Sequence, residues 1–235
     1  MSQSFPYEIF PLGDSALTIS YGNTISEAVN SEILSRFEML KANPLQGMIE
    51  AVPAYTTLTI FYDVSALRKN IPATGTAYDW IKQKVESFLE TPAASQEEST
   101  AIIEIPVCYD ESFAPDMELV MTKKKISREE LIALHTGRTY RVYMIGFLPG
   151  FPYMGELDDR IAFPRKTQPR MVEKGSIGIA GKQTGIYSYT SMGGWHIIGR
   201  TPVDLFNKNK VDDILLKAGN KVRFISMDKD EFENY

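Results

Sequence analysis

The stretch that decides the fold of this chain is residues 140–202, YRVYMIGFLPGFPYMGELDDRIAFPRKTQPRMVEKGSIGIAGKQTGIYSYTSMGGWHIIGRTP. Short apolar runs, among them Ser176–Ala180 and Trp195–Ile198, alternate here with turns that are rich in glycine and proline. Short strands separated by such turns are typical of a β-barrel or a β-sandwich. We therefore predict one of these two β-structures for this part of the chain.

Predicted strands and helices alternate before residue 140. Strands are predicted at residues 7–10, 16–21, 55–62 and 103–107, and helices at residues 24–43, 75–90, 117–122 and 127–137. Thr24 and Glu27 have the spacing of a capping box at the first helix, and Ser127 and Glu130 have it at the last. Strands beside helices in this order predict a small α/β sandwich ahead of the β-rich part.

A linker is predicted between these two parts. Residues 91–100, TPAASQEEST, are small and polar and contain no aromatic residue. We therefore predict an α+β protein of two domains, with an α/β sandwich at residues 1–92 and a β-rich domain at residues 93–235.

Composition limits the classes of function. The chain has 235 residues and a formal net charge of −5, which argues against a nucleic-acid binder, because phosphates attract clustered lysine and arginine. Met117–Leu134 resembles a helix-turn-helix, but Glu129 and Glu130 lie on its second helix, so we predict a solvated helix pair. No apolar run approaches the roughly 20 residues that span a bilayer. We expect a soluble, cytoplasmic protein.

Metal and nucleotide sites have little support in the sequence. His135, His196 and Cys108 are the only histidines and cysteine, so we predict no metal site. Cys108 is predicted to end a buried strand rather than to act as a nucleophile. The run Gly175–Gln183, GSIGIAGKQ, resembles a phosphate loop, but serine replaces its first glycine and glutamine replaces the residue that would hold magnesium.

The candidate site begins with a stiff aromatic segment. Two prolines and two glycines in residues 146–153 fix a bent backbone that carries Phe147, Phe151 and Tyr153. A rigid aromatic surface covers a flat amide or a partner side chain at little cost in entropy. The alternative is that these aromatic side chains fill the interior of the β-structure.

Three arginines are candidates for binding an anion. The guanidinium groups of Arg165, Arg170 and Arg200 offer paired donors that match a carboxylate or a phosphorylated intermediate. Arg200 follows the strand of Trp195 and His196 directly and is the preferred candidate. The alternative for each arginine is an ordinary ion pair.

His196 is the candidate for proton exchange near neutral pH. Strand alternation places it on the opposite face from Trp195 and Ile197. The alternative is a histidine that is hydrogen-bonded for structural reasons. Gln183, Thr184 and Tyr187 supply neutral donors and acceptors that suit an amide.

These motifs together resemble a known family. The chain is similar to the KipI family, which is also the family of the 5-oxoprolinase B subunit (PxpB) and of allophanate hydrolase subunit 1. The resemblance covers nearly the whole chain and rests on these pieces: GDSAL at 13–17, IPVCY at 105–109, HT at 135–136, YRV at 140–142, GF at 146–147, PGFPY at 149–153, PR at 164–165 and 169–170, Gly181, QTGIY at 183–187, GGWH at 193–196 and GRTP at 199–202.

The resemblance implies a fold and a set of partners. It implies a ferredoxin-like first domain and a cyclophilin-like β-barrel as the second. It also implies a complex with a partner like KipA or the 5-oxoprolinase C subunit, and with a third protein like the A subunit, which uses ATP to open the pyroglutamate lactam to glutamate. Relatives that inhibit a sensor histidine kinase, and others in urea carboxylase or allophanate hydrolase systems, leave two alternative functions.

Taken with this resemblance, the sequence predicts an enzyme subunit that is not active alone. It shows no nucleotide loop and no recognisable nucleophile, so we expect it to supply one wall of a shared site for a small amide, with the ATP site not located in this chain. Catalysis is assigned to His196, Arg200 and Gln183. Binding of the substrate is assigned to a second set, namely Phe147, Phe151, Tyr153, Arg165, Arg170, Thr184 and Tyr187.

Overall fold

The structure is a computed structural model that describes residues 5–69, 71–72, 74–93, 101–206 and 214–235. The chain divides into two compact units, residues 1–98 and 99–235. Residues 94–100 of the predicted linker lie outside the described residues. The predicted boundary between residues 92 and 93 therefore stays a prediction.

The first unit is a four-stranded antiparallel sheet with helices. Its elements are β1 (Glu8–Pro11), β2 (Ala16–Ser20), α1 (Glu27–Ala42), β3 (Met48–Pro53), β4 (Thr57–Tyr62), α2 (Val64–Arg68) and α3 (Ala77–Glu90). The strand order is β1-β2-β4-β3. The run β2-α1-β3-β4-α3 follows the ferredoxin-like pattern, and β1 takes the edge position that a strand after the second helix would occupy. This confirms the predicted ferredoxin-like α/β sandwich.

Alternation along β4 builds the core of this unit. Leu58, Ile60 and Tyr62 are buried, while the residues between them are partly exposed. They form one cluster with Ile33 of α1 and Ile81 of α3. The sheet therefore buries one face under the two long helices, as the strand and helix periods require.

Two predictions for this unit need correction. The N-cap of α1 is Ser26, whose side chain accepts a hydrogen bond from the Val29 amide, so the capping box on Thr24 is wrong. Ser26 has extended backbone angles directly before the first helical residue, which is the position a cap requires. Strand β3 was missed because its side chains show no clean alternation between buried and exposed.

The described residues of the second unit form a seven-stranded closed barrel with three helices. Its elements are β5 (Ile102–Cys108), α4 (Met117–Lys124), α5 (Arg128–Thr136), β6 (Thr139–Ile145), β7 (Pro152–Gly155), β8 (Arg170–Val172), β9 (Ser176–Ala180), β10 (Gln183–Ile186), β11 (Ser191–Gly193), β12 (His196–Arg200), β13 (Lys221–Met227) and α6 (Lys229–Glu233). The barrel order is β10-β7-β6-β13-β5-β12-β9, and β8 pairs with β11 outside it. This confirms the predicted cyclophilin-like β-barrel.

The barrel interior is apolar and continuous. Residues from β5, β6, β9 and β13 meet there, among them Val107, Val142, Ile177 and Phe224. Cys108 is buried at the end of β5, as predicted, and burial raises the pKa of its thiol. A buried thiol of raised pKa is a poor nucleophile.

Helices α4 and α5 are the predicted helix pair. Ser127 caps α5 by accepting a hydrogen bond from the Glu130 amide, and the helix ends at Gly137. Within the described residues, no helix is long and apolar enough to cross a membrane.

Arg36 ties the two long helices of the first unit together. Its guanidinium donates to the carbonyl oxygens of Phe88, Leu89 and Thr91 at the end of α3, and it pairs with Glu32 at 2.8 Å. The side chain is 8% exposed, so these bonds are largely shielded from water. They satisfy carbonyl groups that a helix end leaves without intrahelical partners.

We predict that Arg36→Met lowers the free energy of unfolding of the first unit by about 2 to 4 kcal/mol, because Glu32 and three carbonyl groups lose their donor. The measurement is urea denaturation followed by Trp80 fluorescence in a Trp195→Phe background. The exposed Lys82 pairs with Glu86 at 3.8 Å, so Lys82→Met is the control and should change stability by less than about 0.5 kcal/mol. Equal losses in both variants would contradict the role assigned to Arg36.

Candidate functional site

Five aromatic side chains form one cluster on the second unit, called here the aromatic cluster: Phe147, Phe151, Tyr153, Tyr187 and Trp195. Phe151 lies at its centre. Its ring centroid is 5.6 Å from Phe147, 4.9 Å from Tyr153, 5.2 Å from Tyr187 and 5.5 Å from Trp195, all in edge-on geometry. Edge-on contacts of this kind add to the stabilisation that comes from burial alone.

Two glycines make room for the aromatic cluster. Gly178 of β9 lies directly opposite Gly185 of β10 in the strand register. A Cβ on Gly185 would lie 2.8 Å from the Phe151 ring and 3.0 Å from the Trp195 ring, and one on Gly178 would lie 3.0 Å from the Trp195 Cβ. The rings therefore pack directly on the backbone of the barrel wall.

The cluster has a buried part and an exposed part. Phe151 and Tyr187 are each 1% exposed, so both are buried, but they lie in a cluster separate from the apolar interior and on the opposite face of the barrel wall. Phe147 is 59% exposed and has a φ of 66°, an uncommon backbone conformation for a residue other than glycine. Tyr153 is partly buried. Phe147 is thus the member that the bent segment presents at the surface.

The three candidate arginines lie in different settings. Arg200 donates to the Lys174 carbonyl at 2.9 Å and pairs with Glu173 at 2.5 Å. Arg170 is exposed and lies opposite Gly193 in the β8–β11 ribbon. Arg165 is exposed beside Gly194 and lies close enough to lower the pKa of Tyr153 against the raising effect of burial. The structure therefore places Arg165 next to the aromatic cluster and gives Arg200 partners of its own.

Thr184 belongs to a buried hydrogen-bond chain inside the barrel. The Tyr109 hydroxyl lies 2.7 Å from His135 Nδ1, and His135 Nε2 lies 3.0 Å from Thr184 Oγ1. Thr184 donates its hydroxyl hydrogen to the Gly178 carbonyl, so it accepts from Nε2, and Tyr109 donates to Nδ1. Both nitrogens of His135 are satisfied, and burial lowers its pKa to about 3.

His196 lies on the other face of β12 from the aromatic cluster. Trp195 and Ile197 pack with the cluster, whereas the His196 ring meets Phe163 edge-on at 4.7 Å. His196 and Thr184 both lie opposite Ile179 in the strand register and so share the interior face. Gln183 starts β10 and is partly buried. The predicted site residues are therefore divided between two faces of the barrel wall.

The imidazole of His196 is only partly satisfied. The residue is 5% exposed, and its Nδ1 is buried without a hydrogen-bond partner among the described residues. Burial lowers the pKa of His196, the Lys166 charge lowers it further, and the Asp116 charge and the Pro164 carbonyl oppose this shift. At neutral pH the ring is therefore neutral, with a nitrogen that is able to accept a hydrogen bond.

Asp116 and Lys166 border His196 and were missed by sequence reasoning. Lys166 Nζ lies 2.6 Å from Asp116 Oδ2, which also accepts a hydrogen bond from the Ile197 amide at 2.7 Å. Asp116 and Ile197 are 81 residues apart in sequence, so no local spacing could join them. The one available signal was Asp116 as a residue directly before a predicted helix.

Metal and phosphate sites were tested against the described residues. No group of three or more histidine, cysteine, aspartate or glutamate side chains there could hold a metal ion. The run Gly175–Gln183 spans β9, a turn and the start of β10, so it forms a β-hairpin. A phosphate loop instead needs a strand followed by a helix.

Comparison with known proteins gives a consistent picture. The model of the family described as carboxyltransferase domain, subdomain C and D, matches residues 7–216. A protein of Bacillus subtilis (strain 168) that is named as the B subunit of 5-oxoprolinase is 42% identical over 231 residues, which cover 97% of this chain and 96% of that protein.

Solved structures share the fold. The structure of TTHA0988 superposes with a TM-score of 0.76 at 32% identity, over 91% of this chain and 40% of that chain. Kluyveromyces lactis urea carboxylase superposes with a TM-score of 0.77 over 97% of this chain and 22% of that chain. Its identity is 17%, so this likeness concerns the fold alone.

We predict that Gly185→Ala displaces the aromatic cluster and lowers the free energy of unfolding of the second unit by about 1 to 3 kcal/mol. The added methyl group would also lie 2.8 Å from the Pro152 carbonyl oxygen, which cannot rotate away. The measurement is urea denaturation followed by Trp195 fluorescence in a Trp80→Phe background. Gly194→Ala is the control, because its Cβ would meet Arg165 at an ordinary 3.5 Å. A neutral Gly185→Ala would disprove the close packing.

We also predict that the free energy of unfolding depends on pH because of His135. Its pKa is about 3 in the folded protein and 6.5 without burial, so below pH 6.5 the unfolded chain binds a proton that the folded chain does not. The resulting loss of stability grows as the pH falls toward 3, by at most about 1.4 kcal/mol per pH unit. His135→Gln should remove this part of the slope in urea denaturation at pH 7, 6 and 5. Parallel slopes in the two proteins would contradict the assignment.

Proposed function

Because this chain belongs to the carboxyltransferase subdomain C and D family, and within it to the proteins named as the B subunit of 5-oxoprolinase, we propose that it has that place in an ATP-dependent 5-oxoprolinase. The observation that carries the proposal is the 42% identity to such a protein over nearly the full length of both chains. The complex would open the lactam of 5-oxoproline to glutamate, with water supplying the new carboxylate oxygen. Energy would come from ATP bound by another protein of the complex.

The proposed partners are one protein like KipA or the C subunit of 5-oxoprolinase and one like its A subunit. Three relatives are each named as a subunit, which supports a complex of several proteins. Support also comes from the length of TTHA0988, of which this chain matches 40%. In TTHA0988 the matching segment makes up less than half of the chain, so it is joined there to further protein. This arrangement supports partner proteins for the chain described here.

His196 is proposed to contact the reacting amide. Its neutral ring has a buried Nδ1 without a hydrogen-bond partner among the described residues, and a lactam brings both an N–H donor and a carbonyl acceptor. As a neutral base, the ring would take a proton as water adds to the lactam carbonyl and return it to the lactam nitrogen when the C–N bond breaks. Gln183, at the partly buried start of β10, is proposed to contact the amide as well.

Arg165 and Arg170 are proposed to bind the carboxylate of the substrate. Both are exposed, and Arg165 is adjacent to Lys166 on the segment that covers His196. Arg200 already pairs with Glu173, so it is less suited to this role than the sequence suggested. Phe147, the exposed member of the aromatic cluster, is proposed to meet either the substrate or a partner protein.

We predict that His196→Ala lowers the turnover of the reconstituted complex of three proteins by about 100-fold or more, because the group that accepts the proton is lost. The assay measures glutamate release from 5-oxoproline with ATP, with and without this chain. Assembly is checked by size-exclusion chromatography. The exposed Arg223, 3.9 Å from Glu104, provides the control variant Arg223→Ala, which should keep full turnover.

Two outcomes would overturn these assignments. Glutamate release that is equally fast without this chain would refute the proposed function. Full turnover by an assembled His196→Ala complex would refute the role of His196 alone. Inhibition of a sensor histidine kinase by the chain, with no effect on 5-oxoproline, would favour the alternative regulatory function.

A further inference from the structure

The strand that carries His196 lacks a neighbouring strand on one side. Within the described residues, β12 pairs with β9 from His196 to Arg200, but it pairs with β5 only at Arg200. At Ile197 the place of a β5 residue is taken by Asp116. The Asp116 amide donates to the Ile197 carbonyl at 3.0 Å, and Asp116 Oδ2 accepts from the Ile197 amide at 2.7 Å. Asp116 therefore satisfies both backbone groups of the residue that follows His196.

The Asp116 carboxylate makes this contact instead of capping a helix. Asp116 lies directly before α4, where the side chain of an aspartate usually accepts a hydrogen bond from one of the first helical amides. The Asp116 side chain forms no such bond. Giving up a cap destabilises a helix, so the carboxylate serves β12 at the expense of α4.

Lys166 pairs with the same carboxylate in a place that is shielded from water. Its Nζ lies 2.6 Å from Asp116 Oδ2, and the two side chains are 14% and 12% exposed. Removing one partner of such a pair leaves the other as an uncompensated charge. The pair of Lys182 with Asp159 has the same distance of 2.6 Å, but its side chains are 56% and 76% exposed, so water screens it.

Lys166 also ends a short segment that contacts His196, residues 163–166, called here the strap. At the start of the strap, Phe163 forms a backbone bridge with Gly181, and its ring meets the His196 ring edge-on at 4.7 Å. At its end, the Lys166 amide donates to the Gly194 carbonyl at 2.8 Å. The ion pair with Asp116 therefore links the strap to the side of β12 that has no neighbouring strand at Ile197.

We propose that Asp116 and Lys166 are positioning residues for His196. Asp116 holds the backbone of β12 directly after the histidine. Lys166 neutralises the Asp116 carboxylate and holds the strap against the imidazole. That this arrangement serves turnover rests on the proposed function, whereas the contacts themselves belong to this chain alone.

The first test follows single amides in the full chain by hydrogen exchange and NMR. Asp116→Ala should speed exchange of the Ile197 amide by about 10- to 100-fold, because its charged acceptor is removed. The Val142 amide, which donates to the Asn220 carbonyl at 2.9 Å, is the control and should change by less than about 3-fold. Unchanged exchange at Ile197, or equal acceleration of both amides, would overturn the local role of Asp116.

The second test separates the ion pair from the hydrogen bond to β12. Asp116→Asn keeps an oxygen for the Ile197 amide but leaves the Lys166 charge unpaired, and Lys166→Met leaves the Asp116 charge unpaired. Each variant should lower the urea midpoint of the second unit, and the double variant should recover most of the loss. Additive losses would overturn the pairing role of Lys166. Lys182→Met, the exposed control, should leave the midpoint unchanged.

The reconstituted complex provides the functional test. Asp116→Ala and Lys166→Met should lower kcat per assembled complex by about 10- to 100-fold and change KM by less than about 3-fold, because they misplace a reacting group. Lys166→Arg keeps the charge and should recover most of the wild-type kcat. Full kcat in the assembled variants would overturn the positioning role. An inactive wild-type complex would refute the proposed function, while the exchange rates would still decide whether Asp116 holds β12.

Discussion

The two-residue period of strand β12 is the constraint on which the candidate site depends. Successive side chains of a strand point to opposite faces, so Trp195 and Ile197 must face one way and His196 the other. The first pair completes the aromatic cluster, and His196 turns to Phe163 and the interior face of the barrel. The short strand β12 therefore has tightly packed aromatic side chains on one face and, on the other face, the imidazole of His196 with its unsatisfied nitrogen.

Each face of the strand is stabilised in a different way. On the aromatic side, Gly178 and Gly185 remove two side chains so that rings can lie on the backbone. On the histidine side, Asp116 supplies hydrogen bonds where β12 lacks a neighbouring strand at Ile197. Tight packing on one side limits movement of the backbone, and this helps to keep the imidazole on the other side in one orientation.

Local chemistry explains what the sequence could predict. The strand β4, the helix α5 with its cap at Ser127, and the buried position of Cys108 depend on neighbours within a few residues, and these predictions are confirmed. The resemblance to a family supplied the closed barrel, which the strand pattern alone did not separate from a sandwich. Ser26 rather than Thr24 caps α1. The sequence could not predict this, because both residue types are good caps and only the backbone geometry distinguishes the two positions.

The candidate site was less predictable because its contacts are distant in sequence. The Asp116 carboxylate meets an amide 81 residues away, and Arg200 pairs with Glu173 across a turn that composition does not reveal. The two-residue period correctly placed His196 and Trp195 on opposite faces of the strand. His196 was nevertheless assigned to the same site as the aromatic side chains, although residues on opposite faces of a strand do not line the same pocket.

An unsatisfied buried nitrogen is costly, and this cost is an argument about function. Leaving such a group without a partner costs about 1 to 3 kcal/mol, and the same barrel shows with His135 that both nitrogens of a buried histidine can be satisfied. A purely structural His196 would gain stability from a partner at Nδ1 or from replacement by an apolar residue. The unsatisfied nitrogen beside an anchored ion pair is better explained by a ligand that supplies the missing hydrogen bond, and under the proposed function that ligand is the lactam.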